Sequence, residues 1–334
     1  MECSTGAPGT YYGMASWRAW NESRPRDLSR TMRLGTKVAG EEPCPVTSYS
    51  ELHKVVSFLN VMNKKCHLLF RGQSIDVLPT PSLLRNTWTP PREARTGPVA
   101  LDQDDGHYLE QLDRAGRQVA QILRSDRLLP RWRPFVFEDG GLLRHPERHL
   151  AAWAVVQHYG IWPTPLLDLT SSLRVAASFA LGLEDDKRRW WQRVGKVGWR
   201  KRGECQGHLY VFAIPQLLSD FMDLENYPLT EMHALRLNAV CPPDAVRPHF
   251  QDGFLLTWPL KGRRPDREAS VARKLVAKFR LIDTGDFWTD DFPRHTRASL
   301  LPERERDALL RTFRQRITYR LEGHRLTIKP VDGS

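Results

Sequence analysis

The chain has 334 residues, of which 40% are hydrophobic, and a formal net charge of +11. This is enough for a substantial core in one large or two ordinary domains. No apolar run approaches the ~20 residues of a membrane span, and the first 20 residues lack the pattern of a secretory signal. The charge favours an anionic partner, although an arginine-rich proteome gives basic proteins of every function.

Cysteine usage indicates the compartment. The five cysteines are scattered and none forms a CxxC pair. Neither a zinc site nor a disulfide framework is therefore predicted, and we expect a cytoplasmic protein.

Three regions follow from composition and periodicity. Residues 1–45 lack periodicity and are predicted to be a flexible basic tail. Residues 46–290 are predicted to form the main domain, with a basic, Trp-rich insertion at 184–206. Residues 291–334 are predicted to add a helix and a hairpin packed on that domain.

The periodic segments alternate between helices and short apolar strands. Helices are predicted over 48–60, 107–124 and 147–159, after Ser171 and Ser172, and over 303–314. Strands are predicted at 67–71, 166–169, 208–214, 253–258 and 276–282, the last of them half-buried, and a hairpin around 322–323. This order predicts an α+β fold with a mixed central sheet flanked by helices and a C-terminal β-hairpin.

Four local patterns occur in a fixed order along the main domain. They are Phe70-Arg71-Gly72-Gln73, then Gln157-His158-Tyr159-Gly160 with Leu166-Leu167-Asp168, then Thr170-Ser171-Ser172 leading into Val175 to Ala180, and last Arg247 to Phe254. This series resembles the FRG domain over about residues 50–282.

The chain departs from the FRG pattern at three places. Pro165 stands where the family usually has arginine, and Leu169 where it usually has tryptophan. The stretch from Gly160 to Pro163 has one extra residue. The missing arginine removes a possible anion ligand, which concerns catalytic competence and not the fold.

The layout is also similar, more distantly, to ADP-ribosyltransferases that hold NAD. Those enzymes have an early arginine, a Ser/Thr-rich strand before a helix, and a later glutamate. Arg71 matches the first feature and Thr170 to Ser172 the second, whereas Gln251 stands nearest the third and is not a glutamate. The resemblance implies an ADP-ribosyltransferase-like core and NAD as cofactor.

Residue chemistry suggests roles within such a site. Arg71 can bind a pyrophosphate. Gly72 lets the ligand approach the backbone, and Gln73, the next residue, is also assigned to cofactor binding. Thr170, Ser171 and Ser172 lie before a helix N-terminus, which attracts phosphate. His158 and Tyr159 can contact the nicotinamide ribose. Asp168 or Gln251 would support the positive charge that develops when the nicotinamide–ribose bond breaks.

Each of these residues also has a structural interpretation. Arg71 could bond buried carbonyls, His158 could be a structural histidine with satisfied hydrogen bonds, and Tyr159 could belong to the core. Ser171 or Ser172 could only cap the helix. Asp168 could cap a turn, and Gln251 could fix a bulge before Gly253.

A second feature suggests a different function. The segment KRRWWQRVGKVGWRKR, residues 187–202, interleaves cations with tryptophans. Arg188, Arg189, Arg200 and Arg202 could pair with phosphates while Trp191 stacks on a base. The segment could equally bind an anionic membrane surface, or be a solvated insertion.

Two function classes therefore remain open. The first is an enzyme that binds NAD and transfers or hydrolyses ADP-ribose, a chemistry that would suit a toxin or a phage-defence effector. The second is a non-enzymatic module that binds nucleic acid or a protein.

Overall fold

The computed structural model describes residues 10–23, 31–82, 87–88, 99–100, 106–125, 145–183, 205–215, 234–241, 245–257, 270–302, 307–322 and 325–330. The strands are β1 (Thr10–Tyr11), β2 (Arg33–Leu34), β3 (Cys44–Val46), β4 (His67–Gln73), β5 (Thr87–Trp88), β6 (Val99–Ala100), β7 (Leu166–Thr170), β8 (Cys205–Ile214), β9 (Ala234–Arg236), β10 (Gly253–Thr257), β11 (Leu275–Asp283), β12 (Ile317–Glu322) and β13 (Arg325–Pro330). The helices are α1 (Met14–Ser23), α2 (Gly35–Gly40), α3 (Tyr49–Met62), α4 (Gly106–Ser125), α5 (His145–His158), α6 (Leu173–Ala180), α7 (Leu237–Val240), α8 (Val246–Phe250), α9 (Arg297–Leu300) and α10 (Ala308–Arg316).

A seven-stranded mixed sheet forms the centre of the fold, in the order β3-β11-β8-β4-β7-β10-β9. The β3–β11 pair is parallel, and the other neighbours are antiparallel. The α+β class with a mixed central sheet is thereby confirmed. The predicted C-terminal hairpin is also present, as β12 paired with β13.

The helix boundaries follow from local chemistry. Ser48 accepts a hydrogen bond from the Glu51 amide at the start of α3, and Ser172 accepts one from the Val175 amide at the start of α6. Side-chain oxygens at this position satisfy amides that the helix itself leaves unpaired. Beyond α5 the backbone turns at Gly160, whose φ of 64° is favourable for glycine.

Strand β8 is an interior strand of the sheet, between β11 and β4, and is buried on both faces from Leu209 to Ile214. Its unbroken apolar sequence predicts this position. Strand β11 differs from the half-buried prediction, because α2 covers the face that carries Lys278. That lysine is only 9% exposed, and its ammonium donates to the Ala39 carbonyl.

Helix α6 packs unusually close to the sheet because two glycines face it. A Cβ on Gly72 would lie 1.8 Å from the Ala176 carbonyl oxygen, and one on Gly207 would lie 2.1 Å from that of Ala180. Both distances are far inside van der Waals contact. Only glycine therefore permits this approach of helix and strand backbones.

The predicted N-terminal tail contains structured elements. Helix α1 packs on α3 through Trp17, whose ring lies 5.4 Å from that of Phe58, and Tyr11 belongs to a core cluster beneath the sheet. Residues 10–23 and 31–46 thus pack against the main domain. Their sequence lacks helical periodicity, and aromatic side chains make these contacts instead.

The last helix was predicted over 303–314, of which 303–306 lie outside the described residues; α10 begins at Ala308, after its cap Asp307, and ends at Arg316. Its apolar side joins α4 and α5 in a second core cluster, with Leu309, Leu310 and Phe313 buried. Within the described ranges, no helix has the length and apolar character needed to cross a membrane.

Candidate functional site

Strand β4 makes very different contacts with its two neighbours. It pairs with β8 at seven positions, from His67 opposite Ile214 to Gln73 opposite His208, but with β7 only where Phe70 faces Thr170. We call this short contact between β4 and β7 the open seam. A pocket of about 270 Å³ lies beside it. The residues that line it are Phe70, Arg71, Gly72, Gln157, His158, Asp168, Leu169, Thr170, Val175, Ala176, Phe179, Gln251 and Leu301.

Asp168 is held in one orientation by a neighbouring amide. The Gln157 side-chain nitrogen donates to Asp168 Oδ2 at 2.9 Å. The Gln157 amide oxygen in turn accepts hydrogen bonds from Ser82 and Thr164, which fixes which end of the amide faces the carboxylate. The second oxygen, Oδ1, is buried and has no hydrogen-bond partner in the described part of the chain. A buried carboxylate oxygen normally has one.

His158 is the last residue of α5 and carries a second buried polar atom in the pocket. Its Nε2 has no hydrogen-bond partner within the described ranges. A Cβ on Gly253 would lie 3.0 Å from this nitrogen, so glycine at 253 makes room for the imidazole. Burial lowers the pKa of His158, although the Asp168 charge acts in the opposite direction. The ring is therefore neutral at pH 7.

Arg71 bridges the open seam. Its Nη1 donates to the Asp168 backbone carbonyl at 2.7 Å, so the side chain joins β4 to β7 where the ladder has ended. The guanidinium also lines the pocket and brings a positive charge to it. Gly72 lines the same pocket, but what approaches its backbone most closely is helix α6.

Gln251 and Thr170 form the connection between β7 and the segment before β10. The Thr170 hydroxyl donates to the Gln251 carbonyl at 2.6 Å. The Gln251 side-chain nitrogen donates to the Leu300 carbonyl at 2.9 Å, beside Leu301 in the pocket wall. Gln251 thus ties the C-terminal segment to the pocket.

The two serines before α6 do not line the pocket. The Ser171 hydroxyl donates to the Asp252 carboxylate, and the Ser171 amide donates to the Asp252 carbonyl. Ser172 caps α6, as its side chain accepts from the Val175 amide. Ser172 therefore caps the helix, as its structural interpretation proposed, whereas Ser171 bonds Asp252 and caps no helix.

Two other predicted contact residues also point elsewhere. Tyr159 is buried against Phe313 and donates its hydroxyl to Asp307. Gln73 donates to the carbonyls of Ile75 and Val77 and so orders the loop after β4. Neither residue lines the pocket. Successive residues at a helix end point in different directions, which separates Tyr159 from His158, and the Gln73 amide is held in the loop after β4.

The predicted polyanion-binding residues Arg188, Arg189, Trp191, Arg200 and Arg202 lie outside the described residues. Among those that the structure does describe, no group of three or more His, Cys, Asp or Glu side chains is arranged to hold a metal ion.

Gln157 is the pocket residue that the sequence did not single out. It belongs to a motif that the sequence analysis used, but its role depends on Ser82 and Thr164 and on the orientation that they impose. The sequence analysis gave no site role to the apolar wall, formed by residues that include Phe70, Val175 and Phe179.

An α+β domain with a pocket at an open strand seam is the class of protein that these features define. Residues 66–189 match the family model of the FRG domain. This segment of the chain is therefore similar to the FRG domain. No curated protein and no solved structure matches the chain.

The match covers less than the span of 50–282 predicted from the ordered motifs. The first three motif groups lie inside it, and the fourth, Arg247 to Phe254, lies beyond its end. Gln251 and Leu301 line the same pocket as Arg71 and Asp168. The pocket thus combines residues within the matched segment with residues beyond it.

Proposed function

We propose that the pocket binds the nicotinamide riboside half of NAD and that the protein transfers or hydrolyses ADP-ribose. The observation that carries this proposal is the grouping of Arg71, His158, Asp168 and Gln251 around one pocket. In that pocket the Asp168 carboxylate is oriented by Gln157 and has one oxygen without a partner among the described residues.

The division of the pocket into two kinds of wall suits a nucleoside. Phe70, Val175 and Phe179 provide apolar surface for a planar ring. Asp168, His158 and Gln251 provide acceptors and donors for ribose hydroxyls. Ligand pockets commonly combine apolar walls with a few polar groups that fix orientation. A volume of about 270 Å³ suits one half of a dinucleotide, so the adenosine half would extend outside it.

The charges of the pocket suit cleavage of the nicotinamide–ribose bond. As that bond breaks, its electron pair leaves with nicotinamide and the ribose ring gains positive charge. The Asp168 carboxylate offsets that charge. A protonated imidazole would oppose it, and the lowered pKa of His158 keeps the ring neutral. Water or another acceptor then attacks the ribose carbon.

Arg71 and Gln251 have supporting roles in this proposal. Arg71 supplies a cation in the pocket wall for a phosphate of the bound nucleotide, and it also donates to the Asp168 carbonyl. Gln251 uses its amide nitrogen on Leu300, which leaves its amide oxygen to accept from a ribose hydroxyl.

The test compares Asp168→Asn with Gln251→Ala. An asparagine at position 168 can still accept the Gln157 hydrogen bond through its oxygen, so the variant removes charge and keeps shape. We expect NAD turnover, followed by release of nicotinamide with and without protein or nucleic-acid acceptors, to fall ~10²–10³-fold. Gln251→Ala should cost less, because an amide contributes no charge.

Two results contradict the proposal. One is turnover by Asp168→Asn at the parent rate. The other is a parent protein that neither binds nor cleaves NAD with any acceptor. If that inactive parent binds RNA or DNA, and loses this binding on Arg188→Ser and Arg200→Ser, the binding-module alternative replaces it.

A further inference from the structure

Three residues outside the pocket form a buried polar cluster behind it. The Tyr159 hydroxyl donates to Asp307 Oδ1 at 3.2 Å, and Arg247 Nε lies 3.3 Å from Asp307 Oδ2. The Arg247 guanidinium also lies 5.4 Å from the centre of the Tyr159 ring. We call these residues the Asp307 cluster.

The cluster is joined directly to residues of the pocket wall. Tyr159 follows His158 in the chain. The Arg247 backbone carbonyl accepts from the Gln251 backbone amide at 3.1 Å, at the end of α8. The Arg247 side chain donates to the Pro302 carbonyl, next to Leu301. The Asp307 cluster is therefore linked through the backbone to three residues of the pocket wall, which are His158, Gln251 and Leu301.

Helix capping does not account for the whole arrangement. Asp307 caps α10 through Oδ1, which accepts from the Leu310 amide at 2.9 Å. A cap needs one oxygen and is well served at the protein surface. Asp307 is instead fully buried, where an ionised carboxylate is costly unless it is paired. Its second oxygen faces Arg247, whose side chain connects to the pocket.

We propose that Asp307 is a positioning residue, which holds His158 through Tyr159 and Gln251 through Arg247, and that the C-terminal segment is consequently part of the functional site. This inference rests on the proposed function, since it concerns the same pocket. It extends that site well beyond the segment that matches the FRG family model, to α10.

The test uses Asp307→Asn in the full chain. Asparagine can still cap α10 and accept from Tyr159, but it cannot pair with the Arg247 charge. Asp290→Asn is the matched control, because Asp290 is exposed and the same charge is removed. Two signals are followed: the imidazole resonances of His158 and the side-chain amide resonances of Gln251, both by NMR without ligand.

We expect both sets of resonances to move in Asp307→Asn and to stay in place in Asp290→Asn. Unchanged His158 and Gln251 resonances in a folded Asp307→Asn protein overturn the inference. If Asp307→Asn does not fold, Tyr159→Phe takes its place, since it removes only the hydroxyl and keeps the ring against Phe313. The His158 signal then decides, because Tyr159→Phe breaks only the link between Asp307 and Tyr159.

Turnover of NAD supplies a second readout. A misplaced site group should lower kcat by roughly tenfold or more, with a smaller change in KM. A purely structural role would lower the melting temperature and leave kcat per folded molecule unchanged, which also overturns the inference. A parent without NAD turnover defeats the proposed function, and the resonances still decide whether Asp307 positions the pocket.

Discussion

The two sides of strand β4 teach where this fold can hold a ligand. On one side seven residue pairs join β4 to β8, and the backbone groups of both strands are used by the ladder. On the other side one pair joins β4 to β7, and a side chain, Arg71, has to complete the connection. The pocket lies on that second side, because only there is space left between β4 and its neighbour.

Two buried polar atoms line the pocket on that second side. At the short seam Asp168 Oδ1 and His158 Nε2 are buried without a hydrogen-bond partner among the described residues. Such atoms are costly in a stable interior. In the proposed function, these two atoms are the ones that a bound ligand would pair.

The largest expected effect comes from removing the space that lets α6 cover both seams. Gly72→Ala would place a carbon 1.8 Å from a backbone oxygen, which cannot move like a flexible side chain. We expect a loss of about 3 kcal/mol or more in the free energy of unfolding, measured with urea. Gly40→Ala is the control, since a Cβ there meets nothing within 4 Å. Equal stability of the two variants would show that the helix does not pack this closely.

The next effect concerns the bridge across the seam. Arg71→Met keeps the aliphatic stem and removes the donor to the Asp168 carbonyl. Loss of a hydrogen bond from a charged group should cost about 1.5–3 kcal/mol. Arg280→Met, an exposed position on β11, should change stability by less than about 0.5 kcal/mol. An Arg71→Met variant as stable as the parent would mean that the seam does not depend on the arginine.

The smallest expected effect is a pH dependence caused by His158. Because burial lowers its pKa from the usual 6.5, the folded protein takes up this proton less readily than the unfolded chain. The free energy of unfolding therefore does not depend on His158 above pH 6.5, and it falls as the pH falls below that value. The loss is at most ~1.4 kcal/mol per pH unit in that window.

Urea titrations between pH 7.5 and 5 check this expectation. His158→Gln should lose less stability than the parent over that range. His295→Gln, at a half-buried histidine whose pKa is also lowered, should change the slope less. A parent and a His158→Gln variant with the same slope would contradict the assigned burial effect.

Local patterns predicted much of this fold. The apolar run of β8 predicted its central position, Gly160 its left-handed turn, and Ser172 the start of α6, because each depends on neighbours a few residues away. The four residues Arg71, His158, Asp168 and Gln251 could be selected from their motifs.

Contacts between distant residues could not be predicted in this way. Tyr159 looks like a partner of His158 in the sequence, but its hydroxyl meets Asp307, 148 positions along the chain. Ser171 looks like a phosphate ligand, but its hydroxyl meets Asp252. Gln157 gains its role only when Ser82 and Thr164 fix its amide. Side-chain direction, which the sequence alone does not set, decided all three.

The most direct test of the open seam as a nucleotide site is a calorimetric titration of NAD into a protein whose pocket is filled. Leu301→Trp adds a large ring to the pocket wall at a partly exposed position, so the fold should be kept. Leu34→Trp makes the same substitution at an exposed site on β2. We predict that Leu301→Trp weakens NAD binding by about tenfold or more, a difference of ~1.4 kcal/mol, and that Leu34→Trp binds like the parent. Equal affinities in all three proteins would contradict the account.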